Sequence, residues 1–151
     1  MVAGIVAAGP GCSWGPRHPS DAAPAPAPAS PAAAQAVHLA TGLIGTPYRW
    51  GGATPAGVDC SGLVYYTFGK AGLTVPRTSQ AQYHAARPVP IAQAEPGDLV
   101  FFGRRGTISH VGIYLGDERF VHAPESGRTV TIARLSDGYY RARFAGVGRI
   151  D

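Results

Sequence analysis

The residue in this sequence best suited to covalent chemistry is a cysteine at the start of a predicted helix. Asp59 is a favourable N-cap residue, and the run from Cys60 to Ala71 has the composition of one helix that stops at Gly72. A cysteine in the first helical turn faces unpaired backbone N–H groups and the positive end of the helix dipole. This setting favours a thiolate with a pKa of roughly 3.5–7.5, against about 8.5 for a free cysteine. The sequence therefore predicts Cys60 as a nucleophile.

A nucleophilic cysteine needs a base, and two histidines lie downstream in apolar, strand-like segments. His110 and His122 flank a hairpin signal at residues 116–118. If those three residues form the loop and Leu115 pairs with Arg119, both rings lie on the same face of the sheet. Diagonal neighbours of this kind are about 7–8 Å apart, which two imidazoles can span. A slip of one residue would separate them. The spacing thus suits His110 as the base and His122 as the residue that orients it.

Two other interpretations of these three side chains remain open. They would also fit a buried, inert cysteine and two structural histidines with satisfied hydrogen bonds. Cysteine and histidine can hold catalytic zinc as well, although no close pair such as Cys-x-x-Cys accompanies them here. We expect no metal and no cofactor.

The elements that must position these residues begin with helices. A first helix is predicted over residues 32–44, with Val37, Ala40 and Ile44 on one apolar face. After the helix that starts at Cys60, a short third helix is predicted from a cap at Thr78 or Ser79. Helical patterning is confined to this first part of the chain.

Strand-like segments fill the second part of the chain. Three prolines, Pro88, Pro90 and Pro96, mark an extended crossing segment before them. Glycine-rich turns separate five predicted strands, at residues 98–103, 109–115, 119–122, 129–133 and 144–150. Helices followed by antiparallel strands predict an α+β domain with helices packed on a sheet of about five strands.

The first 31 residues are predicted to lie outside the folded domain. Residues 1–12 are small and apolar, which suggests a degenerate or truncated export signal that ends in Cys12 as a candidate for lipidation and membrane anchorage. The Pro- and Ala-rich residues 15–31 predict a semi-rigid linker. We therefore expect an exported protein, located in the cell envelope or outside the cell.

The charge and the cysteine content argue against a nucleic-acid-binding protein and against a disulfide-bonded fold. The net charge of +4 rests on scattered arginines, with Lys70 as the only lysine, so the sequence does not support a nucleic-acid groove. A mildly cationic surface would help approach to an acidic polymer such as a bacterial wall. Cys12 and Cys60 lie on opposite sides of the predicted linker, so we expect no disulfide between them. We expect the chain to be a monomer.

Five motifs together resemble those of the NlpC-type cell-wall peptidases. They occur in the family's order within about residues 35–150: Pro47-Tyr48-Arg49-Trp50-Gly51-Gly52, Asp59-Cys60-Ser61-Gly62-Leu63, Pro76-Arg77-Thr78-Ser79, Pro96-Gly97-Asp98-Leu99-Val100-Phe101-Phe102 and His110-Val111-Gly112-Ile113-Tyr114-Leu115-Gly116. The resemblance implies a papain-like fold, with residues 32–151 as the catalytic domain. It also implies cleavage of peptidoglycan stem peptides, commonly between γ-D-glutamate and the following diamino acid.

The resemblance also implies a role for each matching position. Cys60 would be the nucleophile, His110 the general base and acid, and His122 the orienting residue. Tyr48 resembles the family tyrosine whose hydroxyl joins the Cys60 N–H in stabilising the oxyanion. Four further positions match residues that line or border the substrate cleft: Asp59, Ser61, Arg77 and Ser79. In members that cleave near the N-terminus of the stem, Asp59 would receive the free amine.

Two rival functions would retain the same scaffold. A papain-like amidase or acyltransferase acting on another amide or on a lipid would also use Cys60 and His110. A non-catalytic wall-binding module would keep the fold without using either side chain. The masses of the products formed from stem peptides and from acyl donors distinguish the first rival from a stem peptidase. Sensitivity of wall turnover to a thiol-specific inhibitor distinguishes the second rival from an enzyme.

Overall fold

The computed structural model describes residues 26–151, so Cys12 and the predicted export signal lie outside the described residues. Helices and short strands come first: α1 (Pro31–Gly42), β1 (Ala53–Thr54), β2 (Gly57–Val58), α2 (Cys60–Lys70) and α3 (Ser79–Ala85). The remaining elements are β3 (Arg87–Val89), a 3₁₀ turn (Ile91–Gln93), β4 (Leu99–Arg104), β5 (Thr107–Gly116), β6 (Arg119–His122), β7 (Thr131–Arg134), α4 (Gly138–Arg141) and β8 (Phe144–Arg149). None of the helices in this described part has the length and apolar character needed to cross a bilayer.

Strands β3 to β8 form one antiparallel sheet of six strands, in the order β3-β8-β4-β5-β6-β7. The predicted α+β class and all five predicted strands are confirmed. The predicted number of strands is wrong by one, because β3 forms in the segment that the prolines marked as a crossing. A strand at the sheet edge tolerates Pro88, since only one of its sides must supply ladder hydrogen bonds.

The sheet buries side chains on both faces, as expected for period-two alternation along each strand. On one face, Phe101 and Ile113 pack with Leu63 and Phe68 of α2. The other face carries a second apolar cluster that packs against α4: Val100, Phe102, Tyr114, Phe120 and Tyr140. The cysteine helix is thereby fixed to one face of the strands that carry the histidines.

Helix α1 buries most of the predicted face. Ala40 is fully buried and Val37 packs against the core, as predicted, whereas Ile44 lies beyond the end of the helix and is 46% exposed. Ala33 and Ala36 complete the buried side of the helix. A Cβ at Gly97 would lie only 2.5 Å from the Cβ of Ala33, so α1 runs very close to a neighbouring backbone. This close approach favours the small side chains that the buried side carries.

The β5–β6 hairpin connects the two histidines, and its turn differs from the predicted one. The turn has two residues, Asp117 and Glu118, with positive φ angles of 52° and 60°, which suits a type I′ hairpin. Gly116, not Leu115, pairs with Arg119, and Leu115 forms a bulge. Beyond the bulge the two strands return to the predicted register.

A buried ion pair ties β8 to the start of β4. The Asp98 side chain has no exposed surface, and Arg149 donates to its two carboxylate oxygens at 2.7 and 2.8 Å. The backbone N–H of Glu95 donates to the same carboxylate at 2.7 Å. This carboxylate is charged and fully enclosed, so its stability depends on the guanidinium.

We expect Arg149→Met to lower the free energy of unfolding by about 3 kcal/mol, because it leaves the Asp98 carboxylate buried without its partner. Arg87→Met is the matched control. Its ion pair with Asp151 has side chains that are 58% and 64% exposed, so its loss should cost less than about 1 kcal/mol. Urea denaturation measures both variants, and equal losses would contradict this assignment.

Candidate active site

The start of helix α2 is organised by the carboxylate of Asp59, the predicted N-cap. One oxygen accepts the N–H of Gly62 at 2.7 Å, which caps the helix, and the hydroxyl of Ser61 at 3.3 Å. The other oxygen accepts the N–H of Gly51 at 2.9 Å. The same carboxylate therefore joins the first turn of α2 to the glycine loop that precedes the β1–β2 hairpin.

Arg77 completes this network from the segment before α3. Its guanidinium donates to both oxygens of Asp59, at 3.0 and 2.9 Å, and to the Ser61 hydroxyl at 2.9 Å. It also donates to the carbonyl of Gly52 at 3.3 Å. Burial alone would raise the pKa of Asp59, but the Arg77 bonds and the N–H groups of Gly62 and Gly51 outweigh it and lower the pKa. Three of the four predicted substrate residues thus form one charged cluster.

The glycines of the two motifs allow the loop and the helix to touch. The N–H of Asp59 donates to the carbonyl of Gly52 at 3.0 Å. A Cβ on Gly62 would collide with that same carbonyl oxygen. Glycine is therefore required at position 62 for the first turn of α2 to lie against the loop.

Cys60 occupies the first position of α2, and its side chain is half-buried. The backbone N–H groups of Val111, Ser61 and Cys60 itself are close enough to the sulfur to favour its charged form. Val111 directly follows His110 in β5, so the thiol sits against the strand that carries the predicted base. The prediction of a lowered thiol pKa is wrong: burial raises the pKa of Cys60, and these N–H groups only reduce the effect.

The two histidines meet as the hairpin register predicted. Nε2 of His110 lies 2.8 Å from Nδ1 of His122, and the ring planes are nearly perpendicular, at 81°. A Cβ on Gly112 would lie 3.4 Å from the Cβ of His122, which confirms that these two positions adjoin. The bond to His122 occupies Nε2, so Nδ1 is the ring nitrogen of His110 left to exchange a proton with a thiol.

Burial makes both imidazoles neutral near pH 7. It lowers the pKa of His110 to about 4. Burial, with electrostatic contributions from His110 and Arg128, lowers the pKa of His122 to about 3. His122 is only 1% exposed. Near pH 7 the hydrogen bond between the two rings therefore joins two neutral imidazoles.

Tyr48 lies beside the cysteine, where the resemblance implied an oxyanion donor. Its backbone forms a bridge with Val58, the residue two before Cys60, and its N–H donates to the carbonyl of Arg128 at 2.9 Å. Burial raises the pKa of its hydroxyl, and the nearby Cys60 and Asp59 raise it further. Tyr48 is therefore a neutral O–H donor close to the sulfur.

The structure leaves one predicted site residue apart from the cluster. Ser79 is the first residue of α3, which Thr78 caps, and among residues 26–151 no hydrogen bond joins Ser79 to Asp59, Ser61 or Arg77. Its predicted part in substrate binding stays a prediction.

Two polar residues near the site, one fully buried and one partly buried, were missed from the sequence. Gln82 is fully buried in α3, and its amide donates to the carbonyls of Ser61 at 3.0 Å and Pro76 at 2.8 Å. Tyr140 of α4 places its hydroxyl 3.5 Å from Nε2 of His122. The Tyr140 ring also packs edge-on against His122, with 5.3 Å between ring centroids. The only signal for Gln82 was its position one turn after the Thr78 cap, and Tyr140 lies in a segment with no helical pattern.

The zinc alternative requires a cluster of metal-binding side chains. Within residues 26–151, no group of three or more His, Cys, Asp or Glu side chains is arranged to hold a metal ion.

Comparison with solved structures identifies neighbours of the same architecture. An NlpC/P60 family protein from Bacillus cereus superposes with a TM-score of 0.76 and 32% identity, covering 84% of this chain and 41% of that chain. The peptidoglycan hydrolase RipB from Mycobacterium tuberculosis superposes with a TM-score of 0.69 and 36% identity, covering 80% of this chain and 65% of that one.

Curated relatives agree with these structures. The murein DD-endopeptidase MepH of Escherichia coli is 43% identical over 113 residues, which cover 71% of this chain and 42% of MepH. The bifunctional muramidase/DL-endopeptidase CwlT of Bacillus subtilis is 46% identical over 112 residues, which cover 70% of this chain and 33% of CwlT. The chain thus spans less than half the length of either relative. The profile of the NlpC/P60 family matches residues 45–149, and the chain belongs to that family.

Proposed function

We propose that this chain is a cysteine endopeptidase that hydrolyses peptidoglycan stem peptides through a thioester on Cys60. The observation that carries the proposal is the 2.8 Å hydrogen bond between Nε2 of His110 and Nδ1 of His122, together with the position of Cys60 as the first residue of α2. Family membership and the endopeptidase names of the relatives add support. The same names support a location in the cell envelope or outside the cell.

In the first half-reaction, Nδ1 of His110 takes the thiol proton as the sulfur attacks the scissile carbonyl carbon. The carbonyl oxygen becomes an oxyanion, which the Cys60 N–H and the Tyr48 hydroxyl stabilise. Donors of this kind supply roughly 3–4 kcal/mol each at acyl-transfer sites. The C–N bond then breaks, the proton on His110 passes to the leaving amine, and a thioester remains.

In the second half-reaction, Nδ1 of His110 takes a proton from water while the oxygen attacks the thioester carbonyl. The C–S bond breaks, a carboxylic acid leaves, and the sulfur recovers its proton from His110. Both steps require His110 to be unprotonated at Nδ1 when they begin. Burial of the ring favours that neutral form.

The correct tautomer of His110 depends on a relay of hydrogen bonds. With Nδ1 free, His110 carries its proton on Nε2 and donates it to Nδ1 of His122. His122 must then carry its own proton on Nε2, which faces the Tyr140 hydroxyl. We assign Tyr140 as a positioning residue, because its oxygen accepts that proton and favours the tautomer that His110 needs.

The bond cleaved is proposed as the one between γ-D-glutamate and the diamino acid of the stem. The names of the two relatives specify different linkages, a DL bond for CwlT and a DD bond for MepH. The substrates in the test must therefore include both a free tetrapeptide stem and a cross-linked dimer, with products identified by mass.

We expect Cys60→Ala to abolish release of muropeptide fragments, because no thioester can form without the sulfur. Liquid chromatography with mass spectrometry of digested sacculi and of the synthetic stems measures the products. Thermal unfolding of the variant controls for the fold. Normal turnover by a folded Cys60→Ala protein would refute the assignment of the nucleophile.

We expect Tyr140→Phe to lower kcat about tenfold with little change in KM, since a single weak hydrogen bond that selects the His122 tautomer is lost. Tyr139→Phe is the matched control on the same short helix, because its side chain is 58% exposed and its ring does not contact His122. Steady-state kinetics on the cleaved stem measure both variants. An equal effect of the two substitutions would contradict the positioning role.

We expect kcat/KM to stay high as the pH falls through 6.5 and to decline only near pH 4. The reason is that the active base is unprotonated His110, whose pKa is lowered from 6.5 to about 4 by burial. Protonation below that pH removes the acceptor for the thiol proton. A pH–rate profile with substrate below KM measures this limb, and an acidic limb centred near 6.5 would contradict the prediction.

A further inference from the structure

A cleft of about 1010 Å³ opens beside the two histidines, on the side of β7 and α4. His110, His122 and Tyr140 contribute to its walls, whereas Cys60, Tyr48, Asp59 and Ser61 do not. The catalytic pair therefore has a different surface on each side: the Asp59–Arg77 cluster on the side of α2, and this cleft on the other.

Proton transfer indicates which part of a substrate each side receives. The leaving amine must accept its proton from His110, so it departs on the histidine side of the scissile bond. The oxyanion donors Tyr48 and Cys60 hold the acyl side. The cleft is thus the surface over which the leaving part of the substrate lies.

Most of the charged residues in the walls of this cleft are cationic. They include four arginines, Arg104, Arg128, Arg134 and Arg143, against two acidic residues, Glu125 and Asp137. The Asp137 carboxylate caps α4, because it accepts the N–H of Tyr139 at 2.9 Å. An excess of arginine beside a catalytic pair favours a leaving part that carries a negative charge.

Arg128 is the arginine of the cleft whose backbone is bonded to the segment that carries Tyr48. Its carbonyl accepts the N–H of Tyr48 at 2.9 Å, and the N–H of Val130, two residues further on, donates to the carbonyl of Thr46 at 2.9 Å. Its guanidinium is 61% exposed and only loosely paired with Glu125, at 3.7 Å. The charge of Arg128 adds to the burial that lowers the pKa of His122, and it opposes the rise that burial gives the pKa of Tyr140, so Arg128 lies within electrostatic range of the relay.

We infer that Arg128 is a specificity-determining residue that binds a free carboxylate on the leaving part of the substrate, adjacent to the amine released by cleavage. This inference rests on the proposed peptidase function. A guanidinium with a fixed backbone and free donors suits a carboxylate, with which it can form two charge-assisted hydrogen bonds. In a tripeptide stem, that group would be the α-carboxylate of the C-terminal diamino acid.

Two synthetic peptides test the inference: L-alanyl-γ-D-glutamyl-L-lysine with a free terminal carboxylate, and the same peptide as its terminal carboxamide. We expect the wild type to cleave the carboxylate form with a kcat/KM about tenfold higher, as a partly exposed charge-assisted contact allows. Arg128→Gln should bring the ratio close to one, and Arg128→Glu should reverse it. Arg105→Gln is the matched control, because it removes the same charge from an exposed turn outside the cleft and should leave the ratio unchanged.

The outcomes separate this inference from the function on which it rests. A ratio near one in the wild type, or an unchanged ratio in both Arg128 variants, overturns the inference while the peptidase function stands. Cleavage of neither peptide by the wild type, in a preparation that also leaves sacculi intact, overturns both. A ratio that falls equally in Arg105→Gln assigns the preference to overall charge and overturns the role of Arg128.

Discussion

The carboxylate of Asp59 is the interaction on which the candidate site most depends. It receives five hydrogen bonds, two from Arg77 and one each from Gly51, Gly62 and Ser61. These donors come from three separate segments, so one side chain fixes the first turn of α2 against the glycine loop and the segment before α3. With the residue only 8% exposed, loss of the carboxylate would leave the Arg77 guanidinium without its main partner. The position of the Cys60 sulfur follows from that network.

Burial sets the chemistry of the catalytic groups more strongly than the helix dipole does. The N–H groups at the start of α2 stabilise a thiolate, but desolvation of the sulfur works in the opposite direction and prevails. Desolvation also disfavours the charged forms of the two imidazoles, and it therefore lowers their pKa values. Every member of the proposed triad is then neutral before substrate binds. Charge would appear only during the reaction, where fixed donors are already in place to receive it.

The sequence was sufficient to predict most of the fold and the proximity of the two histidines. Strand periodicity located five of the six strands of the main sheet, and the spacing of His110 and His122 predicted that their rings lie together. These features succeed because they depend on local pattern. The motifs likewise supplied Tyr48 and the residues of the Asp59 network.

What the sequence could not predict depends on contacts between distant segments. The pKa of Cys60 is set by how deeply α2 packs on the sheet, which no local pattern records. The small side chains on the buried side of α1 follow from its closeness to Gly97, over 50 residues away in the chain. Gln82 and Tyr140 join the site only because α3 and α4 fold back onto it. Strand β3 was not predicted, because a proline in an edge strand gives the same sequence pattern as a proline in a loop.

The bulge at Leu115 decides which side of the sheet each imidazole faces. The two-residue turn and the extra residue offset one another, and together they keep both rings on one side of the sheet. A hairpin with the same turn and no bulge would pair Leu115 with Phe120 and would place His122 opposite Ile113. The two rings would then point to opposite sides of the sheet, and no hydrogen bond could join them. A single residue without a cross-strand partner thus determines whether the two histidines can act together.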